Sequence, residues 1–575
     1  MTTSDPTLTT SSYAPAQQLS DTTRGLCSGA YVDVTYANEV IAEIVESERK
    51  AVPPSFGFDL DPVVRHCLRA RRLLIIRYAM ATGVLLLSFC LTGWLPVFWL
   101  TLCMLIEVVR GGPRARVRAL GVGVSTIAVL GFIAVAALVT TVLVLARLSP
   151  DWLDEHLASL AARAHGSSLA DALGTGLLGV AGVTALLPTV AMVVLLFASR
   201  WHAYGILFGE LAPGADATAP PTRSVRVERR LATVARMQRG NIAVHDVNPF
   251  AGAGILKRGW SFVVTLRPSG AAENGNRVAI DPHELNKRVN DAVLAMRDTK
   301  LSGGERIPNL YTVAYVAADG YRRHDDPLID QETHTPFTTA SPETITAIES
   351  CPQGGLRHYL RVVIPANGKE IRTADDRPVL GAQDSGISVT AFVHLAVEGG
   401  LLYTEFAAHV LPPLRPDFRI ADTLRADRVP ARAWRDTLRE YVRDNLYAPW
   451  WLVRNGWDAL RLTARMSRST SEAEQLRFYD YGARFSVRDR AGRETTKFMQ
   501  KLDGAKYIKL VDKTVTEAVL GFLRDNGVDT SEFENQVVNN TYGDLTFHGG
   551  VQNFGGTNTV RQKTTVTTST NGASA

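Results

Sequence analysis

Apolar residues collect between positions 73 and 200, in runs longer than the core helix of a small soluble domain uses. Residues 73–109 are apolar apart from Arg77 and Glu107. As one helix they would extend about 55 Å at 1.5 Å per residue, whereas a bilayer core of about 30 Å needs only about 20 residues. Thr92-Gly93-Trp94-Leu95-Pro96 lies at the midpoint, and Gly and Pro punctuate helices. The run therefore predicts two spans, 73–91 and 95–109, with Trp94 and Trp99 suited to the interface at their turn. The next run, 119–146, is long enough to cross with some tilt. The last, 173–199, carries Pro188, which a membrane helix tolerates at the cost of a kink. The expected fold class is a multi-domain membrane protein, with a four-helix transmembrane block (73–200) followed by a mixed α+β cytosolic domain. A three-span alternative, with 73–109 re-entrant or forming one long helix, would move one terminus outside.

Basic residues near the spans set the orientation. Arg65, Arg69, Arg71 and Arg72 precede the first span, Arg110, Arg114, Arg116 and Arg118 follow the second, and Arg200, Arg223 and Arg226 follow the fourth. The turn near Gly93 has none. This predicts a cell-membrane protein, multi-pass, with both termini cytoplasmic. Arg77 and Glu107 would share the cytoplasmic end of the first hairpin and snorkel to the headgroups.

Behind the membrane block the periodicity changes. Residues 241–246, 260–267, 310–316 and 360–364 read as strands, and 387–397 with 401–410 flank Glu398-Gly399-Gly400 as a hairpin. Asp281-Pro282-His283-Glu284 is a helix start with Asp as N-cap, Pro at N1 and Glu at N3. Residues 431–446 and 449–464 read as two helices, and 484–488 as a short strand. An amphipathic helix over 505–525 is ended by Asn526-Gly527. The resulting division is a disordered segment (1–35), cytosolic and juxtamembrane helices (36–72), the membrane block, a linker with a basic juxtamembrane helix (201–240), the α+β domain (241–530) and a low-complexity tail (531–575).

Composition changes this picture little. The net charge is +5 over 575 residues, and the 62 basic residues are mostly Arg, clustered beside the apolar runs. There they can meet anionic lipid heads, which accounts for the charge without nucleic acid. The five cysteines are scattered with no Cys-x-x-Cys, which supports neither a zinc knuckle nor a disulfide framework. The N-terminus lacks a basic region followed by an apolar stretch, so no cleaved signal peptide is expected.

Candidate chemistry is sparse. Asn248-Pro249-Phe250-Ala251-Gly252-Ala253-Gly254 lies between two predicted strands. A Gly-rich loop can cradle phosphate through its amides, but this one lacks a Gly-Lys-Ser/Thr ending, so a plain loop is expected. Leu301-Ser302-Gly303-Gly304-Glu305 stands without any Walker A string and is read as chance. Gly174-Thr175-Gly176-Leu177-Leu178-Gly179 has the dinucleotide spacing but no preceding strand, so close helix packing is expected instead. His324, Asp325, Asp326, Asp330, Glu332 and His334 form an acidic cluster of metal-ligating types, expected to be a solvated loop. No catalytic, cofactor-binding or metal-binding residue is assigned, and the chain leans away from being an enzyme.

The tail is rich in Asn, Thr, Gly and Val, as in Val551-Gln552-Asn553-Phe554-Gly555-Gly556. Such composition suits stacked strands with amide ladders, and it resembles the short amyloid-forming motifs that some bacterial signalling proteins carry at a terminus. With the membrane block, the Asn248-Pro249-Phe250 loop and this tail together, the layout resembles actinobacterial multi-pass membrane proteins with a cytosolic α+β domain. That resemblance implies an architecture and no particular activity or site. The expected function is a membrane protein presenting a cytosolic interaction or sensing domain. Its partners would be the lipid bilayer, a cytosolic protein, and further copies of itself through the membrane helices or tail. The alternatives are a membrane-perturbing effector triggered by tail self-assembly, and a membrane-tethered enzyme centred on 249–254.

Overall fold

The computed structural model describes residues 8–9, 18–148 and 177–542, apart from breaks of at most six residues. The expectations for 149–176, for Ser302-Gly303-Gly304-Glu305 and for most of the tail lie outside the described residues.

Six strands form the central sheet: β1 (Ile242–His245), β2 (Ile255–Thr265), β3 (Tyr311–Asp319), β4 (Leu356–Asn367), β5 (Asp384–Glu398) and β6 (Leu401–Leu411). Their spatial order is β1-β3-β4-β5-β6-β2, antiparallel except for the parallel β1–β3 pair. The β5–β6 hairpin closes at Gly399 and Gly400, with φ of 57° and 76°. A two-residue hairpin turn requires φ > 0 at both positions, and glycine meets this without steric cost. The period of two divides the sheet into unlike faces. Val362, Ile364, Val389, Ala391, Leu402 and Phe406 face an apolar core. The other face presents Tyr359, Phe392 and Ala407 in a smaller cluster, with Arg361, Thr390 and His409 also buried.

Helices cover the first face. The longer helices of the chain, in order, are α1 (Asp21–Val32), α2 (Val34–Val40), α3 (Leu60–Thr92), α4 (Leu95–Arg110), α5 (Pro113–Leu148), α6 (Leu177–Gly209), α7 (Val225–Met237), α8 (Pro282–Ala295), α9 (Pro342–Ser350), α10 (Val429–Leu460), α11 (Leu462–Gln475), α12 (Phe498–Asp525) and α13 (Ser531–Tyr542), of which α8, α12 and α13 pack on that face. α8 starts as expected, with the Asp281 side chain accepting from the His283 N–H at 2.9 Å. α8 contributes Leu285, Val289 and Val293 to the core, and α12 contributes Ile508, Val511, Val515, Val519 and Leu523.

Several local expectations give way to packing. The 1–35 segment includes α1, whose Leu26 and Cys27 are fully buried. An added Cβ at Gly25 would lie 2.6 Å from the Leu414 side chain, and one at Gly29 would lie 2.3 Å from Phe418. Small residues here permit close approach, which composition alone reads as a lack of core. The two helices expected around Pro449 are one 32-residue helix, α10. An interior proline removes one helical hydrogen bond, and the buried stretch 444–449 holds the helix together across it. Residues 484–488 are not a strand: Ser486 caps a short helix, Val487–Arg490.

The largest correction concerns the membrane block. Among the described residues two helical segments are long and apolar enough to cross a bilayer, Leu60–Phe89 and Leu186–Gly209. A four-helix transmembrane block does not form. α4 has 16 residues, about 24 Å at 1.5 Å each, which is short of a bilayer core. It lies against α10, a helix of the soluble sequence: Trp99 meets Tyr441 at 5.9 Å between ring centroids, and Cys103 is buried with Leu446 and Tyr447. α5 returns along α4, with Gly123 admitting Met104. Hydropathy recorded these segments as apolar; one side of α4 is shared with protein, while Phe98, Leu105 and Val109 of α4 and Val117, Val124 and Phe132 of α5 are exposed.

Phe406 is fully buried in the main core. Phe406→Ala should destabilise the protein by about 3–5 kcal/mol, read as a lowered thermal midpoint of the full-length protein in detergent.

Candidate functional site

α3 and α6 meet α10 at a buried polar junction. α6 changes from apolar to polar at Arg200, and Arg200 and Tyr204 lie four residues apart, so they share one face. On α10, Asp436, Thr437, Glu440 and Asp444 repeat at the same helical spacing. Arg200 Nη2 donates to Asp444 Oδ2 at 2.7 Å and to Glu440 Oε2 at 2.8 Å, while Nη1 reaches Thr437 Oγ1 at 3.4 Å. Tyr204 Oη donates to Asp436 Oδ2 at 2.6 Å, and Arg432 donates to the same oxygen at 2.7 Å. The Arg200 and Asp444 side chains are only 7% and 5% exposed. From α3, Arg77 donates to Tyr78 Oη at 3.0 Å and has Asp444 as its main acidic neighbour. Tyr78 stacks on Trp451 at 6.5 Å, and Phe197 is edge-on to both Trp201 and Trp434.

The sequence marked Arg200 only as a positive charge near a span. Its partners were missed, because Glu440 and Asp444 read as the solvated face of a helix. The available signal was their i, i+4 spacing beside four tryptophans. Just beyond the junction, a groove of about 580 Å³ opens between α3 and α6, lined by Arg69, Trp201, His202, Ile206, Glu210 and Asp216. Arg69 and Glu210 are ion-paired across it.

The loop 248–254 has a different task from the one its glycines suggested. It joins β1 to β2, which are opposite edges of the sheet. Five interstrand gaps of about 4.8 Å require roughly 24 Å, and nine residues reach about 30 Å when extended. The loop must therefore cross almost directly. Phe250 lies on the sheet against Phe392, His409 and Tyr359, with centroids 4.4, 5.1 and 5.3 Å away. Tyr315 Oη donates to the Pro249 carbonyl at 2.6 Å. The Gly252 N–H donates to Asp489 Oδ2 at 2.7 Å, so the amide a phosphate would need holds an internal carboxylate. Gly252 and Gly254 take φ of 91° and 95°, and a Cβ on Gly254 would lie 2.4 Å from the Val410 carbonyl oxygen.

The sheet face beneath the loop and its margin hold titratable groups whose ordinary values are shifted by burial. Desolvation raises the Asp489 carboxyl and lowers Arg361 to about 10. It lowers His409 to about 4, and on the opposite face it lowers His358 to about 3. His358 Nδ1 lies 3.1 Å from Glu349 but is not aligned for a hydrogen bond. Glu349 instead bonds His283 Nδ1 at 2.7 Å.

The acidic cluster near His324 serves its own loop. Both His324 ring nitrogens are engaged, with Tyr481 Oη at 2.6 Å and the Leu476 carbonyl at 2.5 Å. Asp325 pairs with Arg323, and Asp326 with Arg322. Asp330 accepts from the Glu332 N–H at 3.0 Å and the Thr333 hydroxyl at 2.6 Å. Among the described residues no three His, Cys, Asp or Glu side chains are grouped to hold a metal ion.

The architecture is thus a mixed α/β body, built on a six-stranded sheet, with two membrane-length helices fastened to α10. Residues 259–560, more than half of the chain, match the AbeC-like domain, and the chain belongs to that family. The match starts within β2 and includes α10 but neither α3 nor α6. No curated protein and no solved structure matches the chain.

Two outcomes are expected. Arg200→Gln leaves Asp444 buried without its cation and should cost about 3–5 kcal/mol. Arg200→Gln with Asp444→Asn should recover much of that loss, which a double-mutant cycle of thermal midpoints measures. His358 and His409 stay neutral in the folded state well below their ordinary 6.5. The unfolded chain therefore binds more protons below about pH 6.5. Their stabilising contribution is complete above that pH and is lost as pH falls, by up to about 1.4 kcal/mol per pH unit for each histidine. Melting between about pH 7 and pH 5 should show this slope, and His409→Asn should reduce it.

Proposed function

We propose that this chain is an integral membrane protein that holds its AbeC-like domain at the cytoplasmic surface as an interaction or sensing module. The observation carrying this reading is the exposure of its membrane-length helices. Only 22% and 28% of their most apolar stretches are buried. Ile76, Met80 and Leu87 on α3, and Leu186, Leu187, Val190 and Val194 on α6, all face outward. A soluble protein rarely leaves so large an apolar surface uncovered, and hydrocarbon covers it at no cost.

Two crossings return the chain to the side it left. Arg65, Arg69, Arg71 and Arg72 at one helix, with Arg223, Arg226 and Arg229 after the other, support a cytoplasmic location for that side, against Arg110, Arg114, Arg116 and Arg118 between the two helices. The N-terminal segment agrees with this placement. Arg230 of α7 donates to the carbonyls of Ile44, Glu48 and Lys50 at 2.8–3.0 Å, and Lys50 bonds Asp480 at 2.7 Å. The chain before α3 and the chain after α6 thus fold as one body, which a single compartment requires.

Membranes from cells making the full-length protein should retain it through an alkaline carbonate wash and release it only with detergent. Protease added outside intact cells should leave the AbeC-like domain whole. Recovery as a monodisperse species in a detergent-free supernatant would refute the anchoring. Outside cleavage within 259–542 would refute the orientation.

A further inference from the structure

α3, α6 and α4 together bury α10 on every side over 444–449. Before and after that stretch its side away from the junction exposes Trp434 and Leu438 with Arg435, Arg439 and Arg443, and Trp450, Val453 and Trp457 with Arg454. We propose that α10 is an in-plane interfacial helix whose outer face docks on acidic phospholipid headgroups. This deepens the anchoring reading and rests on it.

Three observations identify the occupant. The first is position. α10 meets α6 at Arg200 and Tyr204 and α3 at Tyr78. Those are the places where both helices change from apolar to basic sequence, which is the depth of the headgroups. At about 48 Å for 32 residues, α10 is long enough to run along the surface beside both helices. The second is continuity. Trp434 is joined through Phe197 to Trp201, so the outward apolar surface of α6 passes without interruption onto α10. Tryptophan is enriched at this level of a bilayer.

The third is charge. The four acids of α10 are each paired with a cation, Glu440 at the surface and Asp444 buried. Asp436 takes Arg432 and Tyr204, Glu440 and Asp444 take Arg200, and Asp458 takes Arg465. Arg435, Arg439 and Arg443 form no ion pair with a described residue. What remains outside is arginine among tryptophans, with Arg461 lying 3.9 Å over the Trp457 ring. A face that is both apolar and cationic suits an interface of acyl chain and acidic headgroup. A groove for an apolar peptide would not need the arginines.

The test reconstitutes the full-length protein into vesicles of phosphatidylcholine, with and without phosphatidylglycerol. Spin-labelled forms of the two lipids report which is held at the protein surface. Phosphatidylglycerol should be preferred several-fold. The variant Arg435→Gln/Arg439→Gln/Arg443→Gln should lower that preference, by at most about fivefold per arginine, and lysine at the same positions should restore it. High salt should lower the preference of the unaltered protein too, which keeps the test independent of how the variant folds. Brominated phosphatidylglycerol should quench tryptophan emission, and Trp434→Phe/Trp450→Phe/Trp457→Phe should remove a large share of that quenching. Equal retention of the two lipids, or quenching that ignores these tryptophans, overturns the proposal and leaves the face to a protein partner. In that outcome the protein is still inserted. Failure to insert into either vesicle defeats the anchoring as well.

Discussion

The ion pair between Arg200 and Asp444 is the constraint on which the arrangement depends. It lies where two apolar helices join a polar body, and neither charge has enough water around it to be left alone. An unpaired charge in such a place costs several kcal/mol, while the pair itself contributes little net stability. Its effect is therefore on geometry more than on affinity. Few placements of α6 on α10 satisfy Asp444, Glu440 and Thr437 at once, and Tyr204 on Asp436 fixes the rotation one turn away. Sliding either helix by a turn would break all of these bonds together.

The sheet supplies a second constraint of another kind. Its first and second strands are opposite edges, so the nine residues between them must traverse the whole face. The aromatic row from Tyr315 to His409 is what that traverse packs on, and Phe250 is the residue that fills it. Gly254 is required because the chain passes over Val410 and Leu411 at backbone distance, and Gly252 because its φ of 91° is one that side chains rarely adopt. A motif that resembles a ligand cradle is thus a strap, and its free amide is taken by Asp489.

Much of the sheet was legible from local pattern alone. The Asp281-Pro282 cap, the Gly399-Gly400 turn and the alternation through β5 and β6 are statements about neighbours in sequence. Such signals survive folding because their physics is local. What was not legible depends on residues far apart. α1 is read as disordered until Phe418 and Leu414 are placed against Gly29 and Gly25. The partners of Arg200 lie 240 residues downstream or more, and Pro449 was given too much weight as a boundary because the packing around it was invisible.

Hydropathy failed for a related reason. It measures whether a segment leaves water, not whether it enters lipid or protein. α4 and α6 each divide between a packed side and an open one: Trp99 and Cys103 of α4 face Tyr441, Leu446 and Tyr447 while Phe98 and Leu105 are exposed, and Met192 and Leu196 of α6 are buried while Leu187 and Val194 face outward. The distinction was encoded in α10, a helix that an apolar scan passes over because arginine and tryptophan alternate along it. A segment of that composition is intelligible only beside its neighbours: its middle is enclosed by α3, α4 and α6, and the stretches before and after keep their cations exposed. The placing of the two membrane-length helices is therefore a property of the AbeC-like domain as much as of the helices themselves, since α10, on which both are seated, lies within the matched residues.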